Sequence, residues 1–556
     1  MKKLFTTLFV CFAFVAFAQD QDPGTVDLTF GTDGTFRFAP SDHQDFLESV
    51  LVQENGKIIT VGRSRTDGDN YAIYVSRHNA DGSLDETYGE GGISYFKANP
   101  TIYLNGAREA VLSDDGLLYI AGTTFDYEDN TSFILCLDEN GFENPEFGNE
   151  GWAETPKGGG IVYEAIDVDS EGRPIITGYL NDHILVRRYS VSGEEEFSTN
   201  LTPNEVADPK KPKIGENAFS YPKDIKVLDN NEIIVVGSRK TVWFIDEQSS
   251  EAVLIDKTLV SKFKSDGTLD TSFGNNGIVE FNVGEFAEFA VGVNVDADGN
   301  FLVTGHSELP SINSESQLPT YESFIVRITK EGVLDTTFGT DGVVRFEVFE
   351  GDGCVNNSDT SPVVAPDGQI FGTFYSYNFN DYSSRAYIYN LDAEGKLKEN
   401  FVGEGVASVP IIFGEDDVEI RTASLVLQDD KLFVGGLVYR DTNGDFADGG
   451  EVSDIFISKL YTDVKVDDEN GNDTLGLAEV SNSAFRIYPN PASSQLFVKS
   501  ETNAQVSIID LTGRVVKEIE TTDEITTIDI NDVNEGVYFI MIQDENNRIV
   551  EKLVVR

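Results

Sequence analysis

The sequence predicts an all-β protein, a seven-bladed β-propeller followed by a small Ig-like β-sandwich. Three observations carry that reading. A hairpin phrase recurs seven times, an aromatic-glycine phrase recurs between the hairpins at a period of about sixty residues, and no amphipathic helix of useful length interrupts them.

The hairpin phrase reads ENGKIITVG from Glu54, DDGLLYIAG from Asp114, SEGRPIITG from Ser170, DNNEIIVVG from Asp229, ADGNFLVTG from Ala297, PDGQIFGTF from Pro366 and QDDKLFVGG from Gln428. Asn-Gly and Asp-Gly supply the positive φ that a tight hairpin turn demands. An alternating strand follows each hairpin, such as YAIYVSRHN from Tyr71 or ESFIVRIT from Glu322. The second phrase comes next: LDETYGEGG from Leu84, LDTSFGNNG from Leu269 and LDTTFGTDG from Leu334, with weaker copies at Asp27, Asn144 and Lys398. Its aromatic anchors are Phe30, Tyr88, Phe147, Phe273, Phe338 and Phe401, and a degenerate copy near Phe197 completes the count. A short strand such as GIVEF from Gly277 closes the repeat.

Each repeat therefore supplies four short antiparallel strands. Closing seven such sheets into a ring buries both faces of every sheet between neighbours and leaves only short edges. An open β-solenoid is the alternative architecture. The aromatic anchors are expected to wedge between blades, and the recurring glycines to serve turns. The ends complement each other, because the last repeat stops at DIFISKLY from Asp454, while the chain after residue 18 begins with DLTFGTDG from Asp27. The N-terminus is thus expected to clasp the ring as the missing piece of blade seven, placing the propeller at 19–462.

Lys2 and Lys3, the apolar run Leu4 to Phe17 and the small residues around Ala16 and Ala18 read as a signal peptide, 1–18. Its removal takes the formal charge from −55 to −57, since it carries two lysines and no acid. So acidic a chain repels phosphate backbones and anionic lipid, which excludes nucleic-acid and membrane-surface roles. No further stretch has transmembrane length, and Cys11 lacks the preceding small residues of a lipid-anchor site. Cys136 and Cys354 are too few for a disulfide scaffold, and Cys136, on an alternating strand, reads as a small buried thiol.

The repeats resemble the delta-60 repeat family over nearly all of Asp27 to Thr462, through the LDxTFGxxG and DGKIxVxG phrases. The resemblance implies an extracellular, propeller-like protein and supplies no enzymatic role. After Tyr461 the composition turns polar and acidic, so 463–484 reads as an exposed linker. Seven short strands follow in 485–556, and YPNPA from Tyr488, VSIIDLTGRVVK from Val506, GVYFIMI from Gly536 and the terminal KLVV look like a type A sorting domain of the type IX secretion system of Bacteroidota. That resemblance implies a partner, the type IX machinery, and delivery to the cell surface or outside.

Chemistry is sparse. His43, His78, His183 and His306 are far apart, and neither a nucleophile elbow nor a phosphate-cradling loop is present. Carboxylates are too numerous for any pair to be nominated, so no catalytic residue is assigned. One loop has spacing that Ca²⁺ could use: DTNGDFADGGE places oxygen donors at Asp441, Asn443, Asp445 and Asp448. A solvated acidic loop is the competing reading. The expected function is that of a secreted or surface-held, non-catalytic binding propeller whose extracellular ligand is a glycan or protein. A carbohydrate-active enzyme, a glycoside hydrolase or lyase on the same scaffold, is the alternative.

Overall fold

The computed structural model describes residues 22–67, 70–98, 104–125, 130–201, 220–244, 252–284, 287–309, 320–346, 354–358, 360–378, 383–402, 405–409, 417–441 and 451–465. In the C-terminal part it describes 485–488, 495–500, 504–510, 515–521, 525–530, 533, 536–543 and 548–555. Residues 1–18 and most of 463–484 therefore lie outside the described residues. The chain divides into two compact units, the second beginning at Asp467.

Strand pairing builds seven blades among the described residues of the first unit, and none of those residues is helical. From the inside outward, blade 1 comprises Asp45–Val52, Ile58–Asp67, Asn70–His78 and Ile93–Phe96. Blade 2 runs Leu104–Leu112, Leu118–Phe125, Thr131–Leu137 and Trp152–Glu154; blade 3 runs Ile161–Val168, Pro174–Leu180, His183–Tyr189 and Glu195–Leu201. Blade 4 holds Ser220–Val227, Ile233–Phe244, Ala252–Phe263 and Ile278–Phe281, and blade 5 holds Glu288–Val295, Phe301–Leu309, Thr320–Ile328 and Val343–Phe346. In blade 6 the innermost strand is split into Cys354–Ser358 and Val363–Val364, ahead of Ile370–Asn378, Ser383–Leu391 and Val406–Ser408.

Blade 7 draws on both ends of the unit. Its first three strands are Asp417–Gln428, Lys431–Asp441 and Glu451–Tyr461, and its outermost strand is the N-terminal Thr35–Phe38. Thr35 faces Ser458 and Phe38 faces Ile455 in antiparallel register. Upstream, the amides of Gly24 and Asp27 donate to the carbonyls of Tyr461 and Lys459 at 2.8 Å. The expected clasp is present, and the hydrogen-bonding edge of the last blade is covered.

The aromatic phrase explains how blades stack. Phe30, Tyr88, Phe147, Phe273, Phe338 and Phe401 are each at most 1% exposed. Tyr88 packs among Ala107, Ala110, Leu118 and Ile120 of the next blade, and Phe401 joins blade 6 to Ile420 and Val434 of blade 7. Phe197, on the outermost strand of blade 3, lies against Ile225 and Val235 of blade 4, so the degenerate copy keeps the wedge. The glycine after the aromatic reaches the next blade's turn, as Gly31 N donates to Asp81 O, Gly89 N to Asn140 O and Gly339 N to Glu394 O. The aspartate of the phrase folds the segment back. Asp85 accepts from the Thr87 amide and hydroxyl through Oδ1, and from Arg77 Nε and Lys57 Nζ through Oδ2 at 2.7 and 2.8 Å.

One expectation needs correction, because not every recurring glycine serves a turn. The glycine that ends the hairpin phrase lies inside the second strand, where a Cβ would stand 1.9 Å from Phe46 O at Gly62, 1.9 Å from Val162 O at Gly178 and 2.2 Å from Tyr221 O at Gly237. The neighbouring innermost strand bulges at this level and pushes its carbonyl inward. Cys136 is fully buried as expected, and burial pushes its thiol up to about 12.

The second unit has two sheets, one ordered Phe485–Tyr488, Gln495–Ser500, Ile525–Asp529 and the other Val515–Glu520, Gln505–Asp510, Gly536–Gln543, Arg548–Val555. Leu496, Val498 and Ile528 of the first share a core with Val506, Ile508, Ile540 and Ile542 of the second. The pairing is thus that of a two-sheet sandwich.

Candidate functional site

Every innermost strand of the propeller runs in the same sense, so the ring has two unlike ends. The tight turns and the aromatic phrases gather at one end and are consumed by blade stacking. At the other end the described strands stop at Phe96, Leu201, Phe244, Leu309 and Asp441. The central channel opens there between the starts of the innermost strands.

Five innermost strands carry one extra residue at an equivalent level, namely Glu48, Arg108, Glu164, Lys223 and Val291, and blade 7 carries Ala423. A bulge re-aims the inserted side chain. Four consecutive blades therefore present alternating charges to the channel. Glu48 lies within electrostatic reach of Arg63, Arg108, Glu164 and Lys223, residues of blades 1 to 4, so these groups converge. Burial pushes Glu48 up to about 7, against the pull of Arg63 and Arg108 and with the help of Glu164. Arg63 Nε lies 3.5 Å from Glu48 Oε1.

Half-buried aromatics stand between the bulges and the loop end. In blade 1, Phe46 pairs across strands with Arg63, whose guanidinium is 4.2 Å from the ring centroid, and Tyr71 lies 6.2 Å from Phe46. Blade 5 repeats the arrangement at the equivalent positions with Phe289, His306 and Tyr321, their ring centroids 5.2 to 6.4 Å apart. Burial lowers His306 to about 4, with Lys223 adding to the effect, so this imidazole is neutral near pH 7. Tyr179 and the exposed Tyr221 meet edge to face at 5.9 Å across blades 3 and 4.

Beyond the bulges, toward the tight turns, a belt of side chains ties the innermost strand of blade 7 to that of blade 1 and continues from each blade to the next as far as blade 6. Ser424 accepts from Val50 N at 2.9 Å, Ser49 from Ala110 N at 3.0 Å and Glu109 from Ile166 N at 2.8 Å. Asp167 accepts from Val227 N at 2.8 Å and Asp224 from Val293 N at 2.7 Å, and Asn294 donates to Pro362 O at 2.9 Å. Burial raises Asp224 to about 6 and Glu109 well above its ordinary range. These acids hold the ring together and face away from the mouth.

Asp441 is the last residue of its strand in blade 7, while Asn443, Asp445 and Asp448 lie outside the described residues. Among the described residues, no group of three or more His, Cys, Asp or Glu is placed to hold a metal ion. Of the histidines, His78 stacks on Phe36 at 4.5 Å in the core and His306 reaches the mouth. Sequence reasoning passed over the bulge residues, although a signal existed. Glu48, Arg108, Glu164, Lys223 and Val291 each precede the closing glycine of their hairpin phrase by 14 positions.

A family model described as a secretion system C-terminal sorting domain matches residues 486–556, and one described as a β-propeller domain of unknown function, DUF5122, matches residues 53–88. DUF5122 is the delta-60 repeat family. No curated protein matches the chain. Among solved structures, a catalytically inactive virginiamycin B lyase from Staphylococcus aureus is 12% identical, covering 76% of this chain and 98% of its own at a TM-score of 0.37. The polysaccharide lyase Uly1 is 10% identical, covering 80% of this chain and 98% of its own at 0.43; the plexin A4 extracellular region is 8% identical, covering 94% and 67% at 0.43. The fold rests on the strand pairing rather than on these likenesses. Residues 53–88, in blade 1, thus carry a β-propeller domain of the delta-60 repeat family, and residues 486–556 carry a type IX secretion sorting domain.

Proposed function

We propose that the propeller is a non-catalytic binding protein, held at the cell surface or released, that captures an extracellular ligand at the loop end of its channel. The sorting domain indicates type IX secretion to the surface or outside. Residues 1–18 serve in this reading as the signal peptide for the first membrane. The observation that supports ligand capture is the contrast between the two ends. Signature residues at the turn end are spent on packing, whereas Phe46, Tyr71, Phe289, Tyr321 and Tyr221 keep exposed aromatic surface at the mouth. A glycan and protein array probed with the mature chain should give a specific ligand, and Phe46→Ala with Tyr321→Ala should abolish its capture without changing Tm. Unaltered capture by the double variant would place the site elsewhere.

A second reading, a carbohydrate-active enzyme, draws on Glu48, whose carboxyl titrates at about 7 beside Glu164. It requires cleavage of a captured glycan that Glu48→Gln stops; intact glycan after prolonged incubation excludes it. The loop from Asp441 to Asp448 is the proposed Ca²⁺ site. Millimolar Ca²⁺ should raise Tm beyond NaCl of equal ionic strength, and Asp441→Ala with Asp445→Ala should remove the excess. Equal effects of the two salts would return the loop to a solvated connection.

A further inference from the structure

We propose that Thr462 to Lys465, the first residues beyond the last blade, are a strap that locks the departing chain onto blade 6. A cut or a pull on the chain that follows, toward the sorting domain at 486–556, then stops at Lys465 and does not open the ring.

The strap crosses the turn end from blade 7 to blade 6. Thr462 donates to Asp430 O, in the hairpin turn of blade 7, through its amide at 3.0 Å and its hydroxyl at 2.9 Å. Both carboxylate oxygens of Asp463 accept from Lys398 Nζ, at 3.0 and 2.9 Å, and Oδ2 accepts also from Asn400 Nδ2 at 2.6 Å. Val464 is 6% exposed and shares a core with Phe401 of blade 6 and Val434 of blade 7. The Lys465 amide donates to Asp367 Oδ2, in the hairpin turn of blade 6, at 3.2 Å. The first compact unit accordingly runs to Val466.

Blade 6 departs from the other blades where the strap docks. In blade 1 the aspartate of the aromatic phrase, Asp85, accepts from Thr87 within the phrase, from Arg77 on the third strand and from Lys57 at the hairpin turn. Asp270 meets Lys262 at 3.4 Å, Asp335 meets Arg327 at 2.8 Å and Asp27 meets Lys459 at 3.3 Å in the same way. At the equivalent positions blade 6 has Lys398 for the aspartate, Asn400 for the threonine, Asn390 for the arginine and Gln369 for the lysine. The acid has become a base, and both bases have become amides. Asn390 and Gln369 are buried and hydrogen-bond to each other at 2.9 Å. Blade 6 thus has no carboxylate where those phrases hold theirs, and Asp463 supplies it from outside the repeat.

The N-terminal clasp meets the strap on the same phrase. Val402 N donates to Pro23 O at 3.1 Å, and a Cβ on Gly24 would be 3.1 Å from the Phe401 ring. Next to them, Glu451–Tyr461 is paired on one side with Lys431–Asp441 and on the other with Thr35–Phe38. A load applied at Tyr461 would break these ladders one hydrogen bond at a time from their end and free the N-terminal strand. Applied at Lys465, the same load meets Val464 and Asp463 first, where buried apolar surface and a lysine held by both carboxylate oxygens must be given up together. The strap therefore shields the joint on which closure of the ring depends.

The test is limited digestion of the full chain with thermolysin, read by product mass and by amide hydrogen exchange. The product that contains the propeller should end at or beyond Lys465, with Thr35–Phe38 still protected. Lys398→Asp restores the residue that four other phrases carry and sets two carboxylates against each other. It should raise exchange at Val464 and Lys465 about tenfold, the effect of losing one charge-assisted contact, move the cut to before Asp463, and leave Thr35–Phe38 unprotected after digestion. Adding Asp463→Lys to that variant should restore every readout. Asp463→Asn leaves each blade residue as it is and should shift exchange in the same direction, so a Lys398→Asp chain that fails to fold does not remove the test. Cleavage of the unaltered chain between Tyr461 and Lys465 overturns the proposal, as does unchanged exchange in Asp463→Asn. A double variant as loose as Lys398→Asp alone also overturns it, and so does a Thr35–Phe38 strand that stays protected after the cut has moved before Asp463.

Discussion

An added Cβ at Gly178 would stand 1.9 Å from the Val162 carbonyl oxygen, whereas at Gly172, in the turn of the same hairpin, nothing lies within 4 Å and the strain comes only from a φ of +73°. The two glycines serve the fold through different physics. Gly172→Ala should cost about 1 kcal/mol through its backbone conformation. Gly178→Ala must move one strand away from another and should cost about 2–3 kcal/mol. Urea midpoints of the two variants test the ordering, and equal shifts would show that the bulge yields easily. The glycine was legible in the sequence as the end of the hairpin phrase, but its reason was not. A bulge is a property of register between two strands, so the inserted Glu48 or Lys223 looks like any other polar residue until pairing is known.

Elements were more legible than residues. Hairpin, third strand and aromatic phrase follow one another in the chain because they are neighbours in the blade, and Asn-Gly or Asp-Gly marks four of the seven hairpin turns. Closure was legible for the same reason, since a repeat that lacks its last strand at one end and begins with it at the other has one economical arrangement. The split innermost strand of blade 6 had one local mark, Pro362, which cannot donate to a ladder and stands between Ser358 and Val363. The clasp carries the second prediction. Phe30 packs on Phe36 and Phe433, and Lys459 lies 5.6 Å from its ring centroid. Phe30→Ala should therefore cost about 3–5 kcal/mol, as for other buried aromatics. Deleting Asp27 to Gly34 should destabilise the ring further, because the Thr35–Phe38 strand then loses its lead-in. A denaturation midpoint unchanged by that deletion would mean that the first and last blades do not depend on each other.

At the scale of the whole molecule, two sets of carboxylates pull stability in opposite directions with pH. Burial raises Glu48 and Glu288 to about 7 and Asp45 and Asp224 to about 6. The unfolded chain releases those protons near pH 4, so between pH 4 and 7 the folded state binds more of them. Their contribution is full below the unfolded values and is lost as pH rises through 6 to 7. The aspartates of the aromatic phrase act the other way. Hydrogen bonds from Ser272 to Asp270 and from Thr337 to Asp335 hold these carboxyls low, and Asp85 is held low by Lys57, Thr87 and Arg77 despite its burial. Their contribution is present above pH 4 and is lost as pH falls below it. Stability should therefore peak near pH 5, with Tm falling toward pH 8 and falling again below pH 4. General repulsion among the excess acids gives a similar decline above the peak, and salt separates the two causes, since surface charges are screened at 0.3 M NaCl, where the Debye length is about 6 Å, and buried groups are screened much less. The decline between pH 5 and 8 should persist in that salt. It should become shallower in Glu288→Gln, because the Glu288 carboxylate accepts from the Gly284 and Val283 amides but lies fully buried. A Tm that stays level from pH 5 to 8 in 0.3 M NaCl would show that the buried carboxyls keep ordinary values, and the channel would then carry an ionised Glu48 at every physiological pH.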